Sequence, residues 1–261
     1  MSFGLSKDQI IRTKPNSKLC YAVCMPIHYK TALFAFASDN LIFIYDRTNF
    51  SETIIETPEP SSIINLLSFI TDKNYNSYIL CTKSNNSIYQ FSITDTSNFH
   101  VYDAIKTKSV IKSITSSLNT FFYISDTELF SCEINSNDSK FLSNVVDYNE
   151  VISSPNGSAL ALFSRNTQNL QVLYSPFTGQ SFNFHLTSNL IDFQWNCSHY
   201  LCAVTACSDM SIKIWLQEPT ASEMQCISSI LLEEPITTVA FCHNFSDAEF
   251  IHSNHHTIVQ S

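Results

Sequence analysis

The chain consists of short apolar runs, many of which alternate apolar and polar residues, separated by polar turns. Residues 41–46 are a nearly continuous apolar run, residues 87–93 alternate in part, and most such runs are about four to eight residues long. Alternation with a period of two is typical of β-strands. No long stretch shows the 3.6-residue period of an amphipathic helix. The pattern predicts an all-β fold with almost no helix.

The runs recur in groups of four, at roughly 40–45 residues a group, which is the length of a propeller blade. Six groups can be aligned: residues 19–58, 62–104, 110–144, 146–186, 190–232 and 235–261. The sixth group has only three runs. We therefore expect a single propeller domain over residues 1–261.

The N-terminus offers the strand that the sixth group lacks. Residues 7–15 resemble residues 51–58, the last run of the first group, and both are followed by the first strand of a new group. A strand from residues 7–15 would close a six-bladed ring and remove two exposed edges. Two alternatives are an incomplete ring finished by a partner's strand, and a ring with a seventh blade.

Several segments resemble the WD40 repeat. Residues 193–215 resemble the second half of such a repeat, and residues 38–46 do so with Tyr-Asp in place of Trp-Asp. Residues 154–161 look like the turn between its first two strands, and residues 235–241 look like a first strand. The resemblance implies a six-bladed WD40-like β-propeller. It assigns the structural tryptophan position of the third strand to Tyr45, Phe91, Tyr174 and Trp215.

The sequence also departs from the WD40 pattern. No Gly-His pair precedes the first strands, and Leu216 follows Trp215 where the family has Asp. The cysteines fit neither a zinc site nor a secreted framework, because no Cys-x-x-Cys pair occurs and most of the nine lie in apolar runs. We expect free, buried thiols.

Charge and hydropathy limit the class of partner. The chain has 14 Lys and Arg against 23 Asp and Glu, a net charge of −9, which disfavours direct nucleic-acid binding. No apolar run reaches the roughly 18 residues of a membrane span, and the N-terminus shows no secretory signal. These features predict an intracellular protein, cytoplasmic or nuclear, without membrane insertion.

No set of residues indicates catalysis. Only three glycines are present, and no phosphate-binding loop or Gly-x-Ser-x-Gly elbow occurs. The nearest approach to a metal site is a group of histidines beside Cys242, namely His243, His252, His255 and His256. On a strand, adjacent histidines point to opposite faces. We expect a solvated turn there, no metal or cofactor, and no enzymatic activity.

Polar residues fall in the turns between the second and third strands: Asp39, Asn85, Asp126, Arg165 and Asp209. Equivalent turns lie on one side of a propeller, so these side chains are candidates for a partner-binding rim for a basic peptide or a cation. The alternative is structural, because Asp and Asn cap tight turns by accepting backbone N–H groups. The WD40 resemblance implies this structural role for the Asp. Trp195 and Trp215 lie inside alternating strands, which predicts core positions.

The resemblance implies a non-catalytic scaffold, monomeric within a multi-subunit complex. The acidic charge favours protein partners with basic or extended segments. An alternative is an accessory subunit of an RNA-modifying or RNA-processing enzyme, for which Lys106, Lys108 and Lys112 are the candidate basic patch. Two further alternatives are an enzyme that uses the central channel, and a coat or pore component.

Overall fold

The computed structural model describes residues 21–24, 33–46, 51–72, 74, 76–93, 101, 104–177, 180–196, 201–218, 221 and 223–239. These residues form twenty β-strands in five four-stranded antiparallel sheets. In every sheet the strands are adjacent in chain order, as a meander of hairpins requires. Within these ranges, no helix is long and apolar enough to cross a membrane. The prediction of an all-β fold is confirmed.

The chain divides into two compact units, residues 1–110 and 111–261. The first unit contains two sheets. Sheet 1 contains β1 (Tyr21–Cys24), β2 (Leu33–Ser38), β3 (Leu41–Asp46) and β4 (Ser51–Glu56). Sheet 2 contains β5 (Ile64–Thr71), β6 (Ser77–Lys83), β7 (Ser87–Ser92) and β8 (Ile105–Lys106).

The second unit contains three sheets. Sheet 3 contains β9 (Ile111–Ser117), β10 (Thr120–Ser125), β11 (Glu128–Glu133) and β12 (Ser139–Asn144). Sheet 4 contains β13 (Glu150–Ser153), β14 (Ala159–Phe163), β15 (Leu170–Tyr174) and β16 (Ser181–Asn183). Sheet 5 contains β17 (Leu190–Trp195), β18 (Cys202–Cys207), β19 (Ser211–Leu216) and β20 (Gln225–Leu231).

The predicted runs match these strands closely, with one difference in sheet 2. The sequence predicts its last strand at residues 99–102, but β8 lies further along the chain and pairs with Ser87 and Ile88. Val101 forms only an isolated bridge to Phe91. Of the sixth group, residues 235–239 are described and are not in a strand. The rest of that group, and the proposed closing strand at residues 7–15, lie outside the described residues.

The core lies between the sheets of each unit, because alternate side chains of a strand point to opposite faces. In the first unit, Ile42 and Ile44 of sheet 1 pack with Ile79 and Phe91 of sheet 2. Each such buried side chain contributes roughly 1.5–3 kcal/mol through burial.

The second unit repeats this arrangement. Leu129 of sheet 3 packs with Leu160 and Leu162 of sheet 4. The other face of sheet 4 packs on sheet 5 in a cluster that contains Phe163 and Phe193. None of the five cysteines whose side chains the structure describes forms a disulfide bond. Cys81, Cys132, Cys202 and Cys207 are buried, whereas Cys226 is exposed.

Candidate interaction surface at the turns between second and third strands

In every described sheet, the turn between the second and third strands contains one residue with a positive φ. These residues are Asp39 (53°), Asn86 (63°), Asp126 (56°), Asn166 (60°) and Met210 (63°). Asn and Asp tolerate this left-handed conformation better than other non-glycine residues, so these turns form in a chain that has only three glycines.

The rim candidates occupy two kinds of position in these turns. Asp39 and Asp126 are themselves the residues with positive φ, whereas Asn85, Arg165 and Asp209 each directly precede such a residue. The candidates of these two groups therefore differ by one residue in their position within the turn.

Asp39 and Asp126 lie in tight turns that are fixed through the backbone. The carbonyl oxygen of Asp39 accepts a hydrogen bond from the N–H of Ile64, at 2.9 Å, which ties the turn of sheet 1 to the first strand of sheet 2. In sheet 3, the residue after Asp126, Thr127, accepts a hydrogen bond from the N–H of Val145 at 2.7 Å. Both aspartates are thus presented by turns that the surrounding chain holds in place.

Asn85 caps its own turn and also contacts the linker between sheets 1 and 2. Its Oδ1 accepts a hydrogen bond from the N–H of Ser87 at 3.3 Å. Its Nδ2 donates to the carboxylate of Glu59, and its backbone N–H donates to Oγ of Ser62 at 3.2 Å. Asn85 thus caps its turn by accepting a backbone N–H, which is the structural alternative described for these turns in the sequence analysis.

Lys83, a residue that the sequence analysis did not select, lies beneath the Asn85 turn. Only 2% of its surface is exposed. Its Nζ donates to Oγ1 of Thr57 at 3.0 Å, to the carbonyl oxygen of Pro58, and to the carbonyl oxygen of Glu59 at 2.7 Å. Burial lowers the pKa of Lys83, and the neighbouring charges of Cys81 and Glu59 offset only part of this effect. The ammonium group thus clamps the linker between the two sheets.

Asp209 repeats the Asn85 arrangement in the second unit. Its Oδ1 accepts hydrogen bonds from the Oγ of Ser211 at 2.6 Å and from the N–H of Ser211 at 3.1 Å. Its Oδ2 accepts one from Oγ1 of Thr187 at 3.2 Å. The hydrogen bond from the Ser211 hydroxyl is the largest cause that lowers the pKa of Asp209, to about 2. Burial opposes this shift, but the hydrogen bonds to the carboxylate together outweigh it. The side chain remains exposed and anionic on the surface of the unit.

Arg165 does not stand alone as a surface cation. Its Nε donates to Oε1 of Glu150 at 2.9 Å, and its Nη1 lies 3.1 Å from Oδ1 of Asp192. Burial by itself lowers the pKa of Arg165, but hydrogen bonding to Glu150 and the charges of Glu150 and Asp192 outweigh it and raise the pKa. The guanidinium group joins the first strand of sheet 4 to the first strand of sheet 5.

Asp192 is the buried centre of this network. Its side chain is 2% exposed, and its Oδ2 accepts hydrogen bonds from Oγ1 of Thr238 at 2.7 Å and from the N–H of Val239 at 3.1 Å. Val239 and Ile236 also pack against sheet 5. The local pattern does not indicate this role, because an Asp between Ile and Phe in a predicted strand looks the same whether it is solvated or paired.

Three of the four aromatic residues assigned to the third strands occupy the same register position in their sheets. Tyr45, Phe91 and Trp215 lie at equivalent positions of their third strands. Each pairs with a residue of the second strand at the same distance from the turn. In sheet 4 the equivalent residue is Leu173, which packs toward sheet 3. Tyr174 lies one residue further and faces sheet 5. A shift of one residue reverses the face of a strand residue, so Tyr174 lies outside this register.

Both tryptophans lie in the core, as predicted, and each is 7% exposed. The indole N–H of Trp215 donates to Oγ1 of Thr205 at 3.0 Å. That of Trp195 donates to the carbonyl oxygen of Ile152 in sheet 4 at 3.1 Å. These hydrogen bonds satisfy the one polar group of each buried ring.

The candidates for a basic patch lie in the described residues, whereas those for a metal site do not. Lys106 lies 3.7 Å from a carboxylate oxygen of Glu59, so one member of the basic patch is paired with an acid. Within the described ranges, no group of three or more His, Cys, Asp or Glu side chains is placed to hold a metal ion. Cys242 and the four histidines that follow it lie outside those ranges.

No family model matches the chain, and no curated protein matches it in sequence. Solved structures nevertheless share its fold. One is BBS1N in complex with ARL6DN, with a TM-score of 0.59 and 13% identity over 84% of this chain and 68% of that chain. Another is Hsv2p of Kluyveromyces lactis, with a TM-score of 0.59 and 13% identity over 84% of this chain and 72% of that chain.

A third similar structure is the dihydro-heme d1 dehydrogenase NirN in complex with DHE. Its TM-score is 0.59, with 16% identity over 81% of this chain and 47% of that chain. BBS1 and Hsv2 are proteins of the β-propeller type, and the five meander sheets of this chain are similar to theirs. Since NirN is named as a dehydrogenase, this fold occurs in an enzyme as well as in a protein crystallised with a protein partner.

Proposed function

We propose that the protein is a non-catalytic interaction scaffold, a divergent WD40-like propeller that binds other proteins within a complex. The observation that carries the proposal is the set of turns that bear Asp39, Asn85, Asp126 and Asp209. All four turns are held by hydrogen bonds to neighbouring strands or linkers. Rigid turns that present polar side chains lose little conformational entropy on binding. The similarity to BBS1N, crystallised with ARL6DN, supports a protein as the partner.

The acidic turns favour partners with basic segments. Asp209 stays ionised because hydrogen bonds stabilise its carboxylate, and the whole chain carries nine more acidic than basic groups. Electrostatic complementarity of this kind raises association rates and rejects acidic partners. Arg165 is the one basic rim candidate. Because Glu150 and Asp192 pair with it, its charge should repel a basic partner less.

The proposal includes a sixth blade. Residues 235–261 would supply its first three strands and residues 7–15 its closing strand. Support comes from Ile236 and Val239, which already pack on the free face of sheet 5 beside Val204 and Ile212. A sheet that follows in sequence would extend this contact.

The experiment is affinity purification of the tagged full chain from its native cells, with and without ribonuclease. Under this proposal a stable set of protein partners survives ribonuclease. The variant Asp209→Arg, which reverses one surface charge, should weaken their recovery, while Lys140→Gln, at an exposed position in β12, should leave it unchanged. Recovery of a single catalytic subunit with RNA, lost on digestion, would contradict it and favour the accessory-subunit alternative.

A further inference from the structure

The outer strand of sheet 5 differs from the other four outer strands in the described residues. Proteins protect such edges with short strands or with charged residues. β8 and β16 contain two and three residues, β4 contains Glu52 and Glu56, and β12 contains Lys140. β20 has seven residues, Gln-Cys-Ile-Ser-Ser-Ile-Leu, with neither a charge nor a proline.

The backbone of β20 presents hydrogen-bonding groups away from its sheet. β20 pairs with β19 in antiparallel register, with Ile212 opposite Ile230. The N–H of Leu232 donates to the carbonyl oxygen of Met210 at 3.0 Å. Because inward and outward groups alternate along an antiparallel ladder, the N–H and C=O groups of Ser229 and Leu231 point away from β19. Within the described part of the chain, β19 is the only strand that pairs with β20.

The side chains along this edge are apolar and exposed. Ile227 is 48% exposed and Leu231 is 73% exposed, with the exposed Ser229 between them. The register shifts at Ile227, which is a bulge and leaves residues 228–231 as the regular part of the edge. Glu233 and Glu234 follow after Leu232 and are exposed, so an acidic pair lies near the C-terminal end of the edge.

We infer that the edge of β20 binds an extended segment of a partner protein, which adds a fifth strand to sheet 5. The backbone groups of Ser229 and Leu231 require an extended chain, because only a strand can pair with both. Ile227 and Leu231 favour apolar residues at alternate positions of that segment. Glu233 and Glu234 favour basic residues at the end that lies beside them. The inference rests on the scaffold function and assigns one of its surfaces and its kind of partner.

The test uses the full chain and two eight-residue synthetic peptides of alternating valine and threonine. One peptide begins with two lysines and the other with two glutamates in their place. We expect the lysine peptide to bind about tenfold more tightly, measured by fluorescence anisotropy. We also expect it to slow amide hydrogen exchange at Ser229 and Leu231, measured by NMR.

Ser229→Pro is the decisive variant. It removes an N–H that points away from β19, so it keeps the ladder within sheet 5, and proline is tolerated at such edge positions. We expect the lysine peptide to bind about tenfold more weakly, because the variant cannot donate this backbone hydrogen bond to it. Ser229→Ala keeps the N–H and should bind as the unmodified chain does. If Ser229→Pro does not fold, Leu231→Lys is used instead. This variant keeps the backbone N–H groups and repels the basic peptide.

Other results would overturn the inference. They are equal binding by the proline and alanine variants, protection of amides elsewhere in the chain, or slow exchange at Ser229 and Leu231 before peptide is added. Concentration-dependent dimerisation abolished by Ser229→Pro would assign the edge to a second copy instead. If partners in the affinity purification are retained by Ser229→Pro, the scaffold function stands and this surface fails. If the unmodified chain recovers no protein partner in the affinity purification, the scaffold function itself is rejected.

Discussion

The guanidinium group of Arg165 lies 3.1 Å from the buried carboxylate of Asp192, across the boundary between sheets 4 and 5. Glu150 shares the same guanidinium, and the second oxygen of Asp192 binds Thr238 and Val239. One network therefore connects two sheets to the segment that follows them. Arg165 acts here as a structural link within the second unit.

Arg165→Gln is expected to destabilise the protein, because Asp192 would remain buried without its counter-charge. Breaking a fully buried pair costs about 3–5 kcal/mol. Since the Arg165 side chain is 41% exposed, solvent screening should reduce this to roughly 1–2 kcal/mol. Urea unfolding followed by tryptophan fluorescence measures the change. Lys140→Gln, at an exposed position, is the control, and equal unfolding midpoints for both variants would contradict the structural role.

Lys83→Met is expected to lower stability by about 2 kcal/mol or more, because it removes the three hydrogen bonds that the buried Nζ donates to Thr57, Pro58 and Glu59. Thermal unfolding measures the loss. Lys106→Met removes a lysine from the same region at a position where the side chain is 71% exposed, and should have little effect.

The same lysine has a predictable pH dependence. Burial lowers the pKa of Lys83 in the folded protein, so between that pKa and the unfolded value of about 10.4 the unfolded chain binds more protons. The stability of the unmodified protein relative to Lys83→Met should therefore rise as the pH increases through this window, and level off above it. A stability difference that falls over the same window would mean that the folded pKa is raised.

Asp209→Ala is expected to destabilise the protein by about 1 kcal/mol through the loss of a turn cap. The pKa of Asp209 is lowered to about 2 in the folded protein, against about 3.9 in an unfolded chain. Its contribution is therefore complete above about pH 4 and is lost as the pH falls toward 2. Asp209→Asn should lack this acid dependence in chemical unfolding at several pH values. Unchanged stability with lost partner binding would make Asp209 a direct contact.

Gly157→Ala is expected to destabilise the protein, because residue 157 has a φ of +70° and an added Cβ would overlap Oγ of Ser117. The conformational cost alone is about 1 kcal/mol, and the overlap with Ser117 adds to it. Differential scanning calorimetry measures the change. Combining the variant with Ser117→Gly should recover the part that the overlap causes, and no recovery would assign the whole cost to the backbone.

Deletion of residues 1–15 is expected to lower the melting temperature by more than about 5 °C, if these residues close the sixth blade and the sheet loses a strand. Ile10→Asp with Ile11→Asp should have a similar effect by placing charges in the strand, whereas Lys7→Ala should not. An unchanged melting curve for the deletion would reject closure by the N-terminus. Circular dichroism during heating is sufficient for all of these variants.

The local pattern of the sequence was enough to predict nearly all of the described strands and their turns, although it placed the last strand of sheet 2 too early. Short apolar runs, together with Asp and Asn in the turns, located β3, β11 and β15 almost to the residue. The capping interpretation of Asn85 and Asp209 also followed from local chemistry, because their hydrogen-bond partners Ser87 and Ser211 lie two residues away.

Only the tertiary structure decided which side chains meet over long separations. The pairing of Arg165 with Asp192 and the burial of Lys83 against residues 57–59 depend on how neighbouring sheets pack, and no local pattern encodes that geometry. The assignment of Tyr174 instead of Leu173 failed for a related reason, since both residues are apolar enough for a strand and only sheet packing distinguishes its two faces. Sequence pattern thus determined the elements, and packing determined the contacts between them.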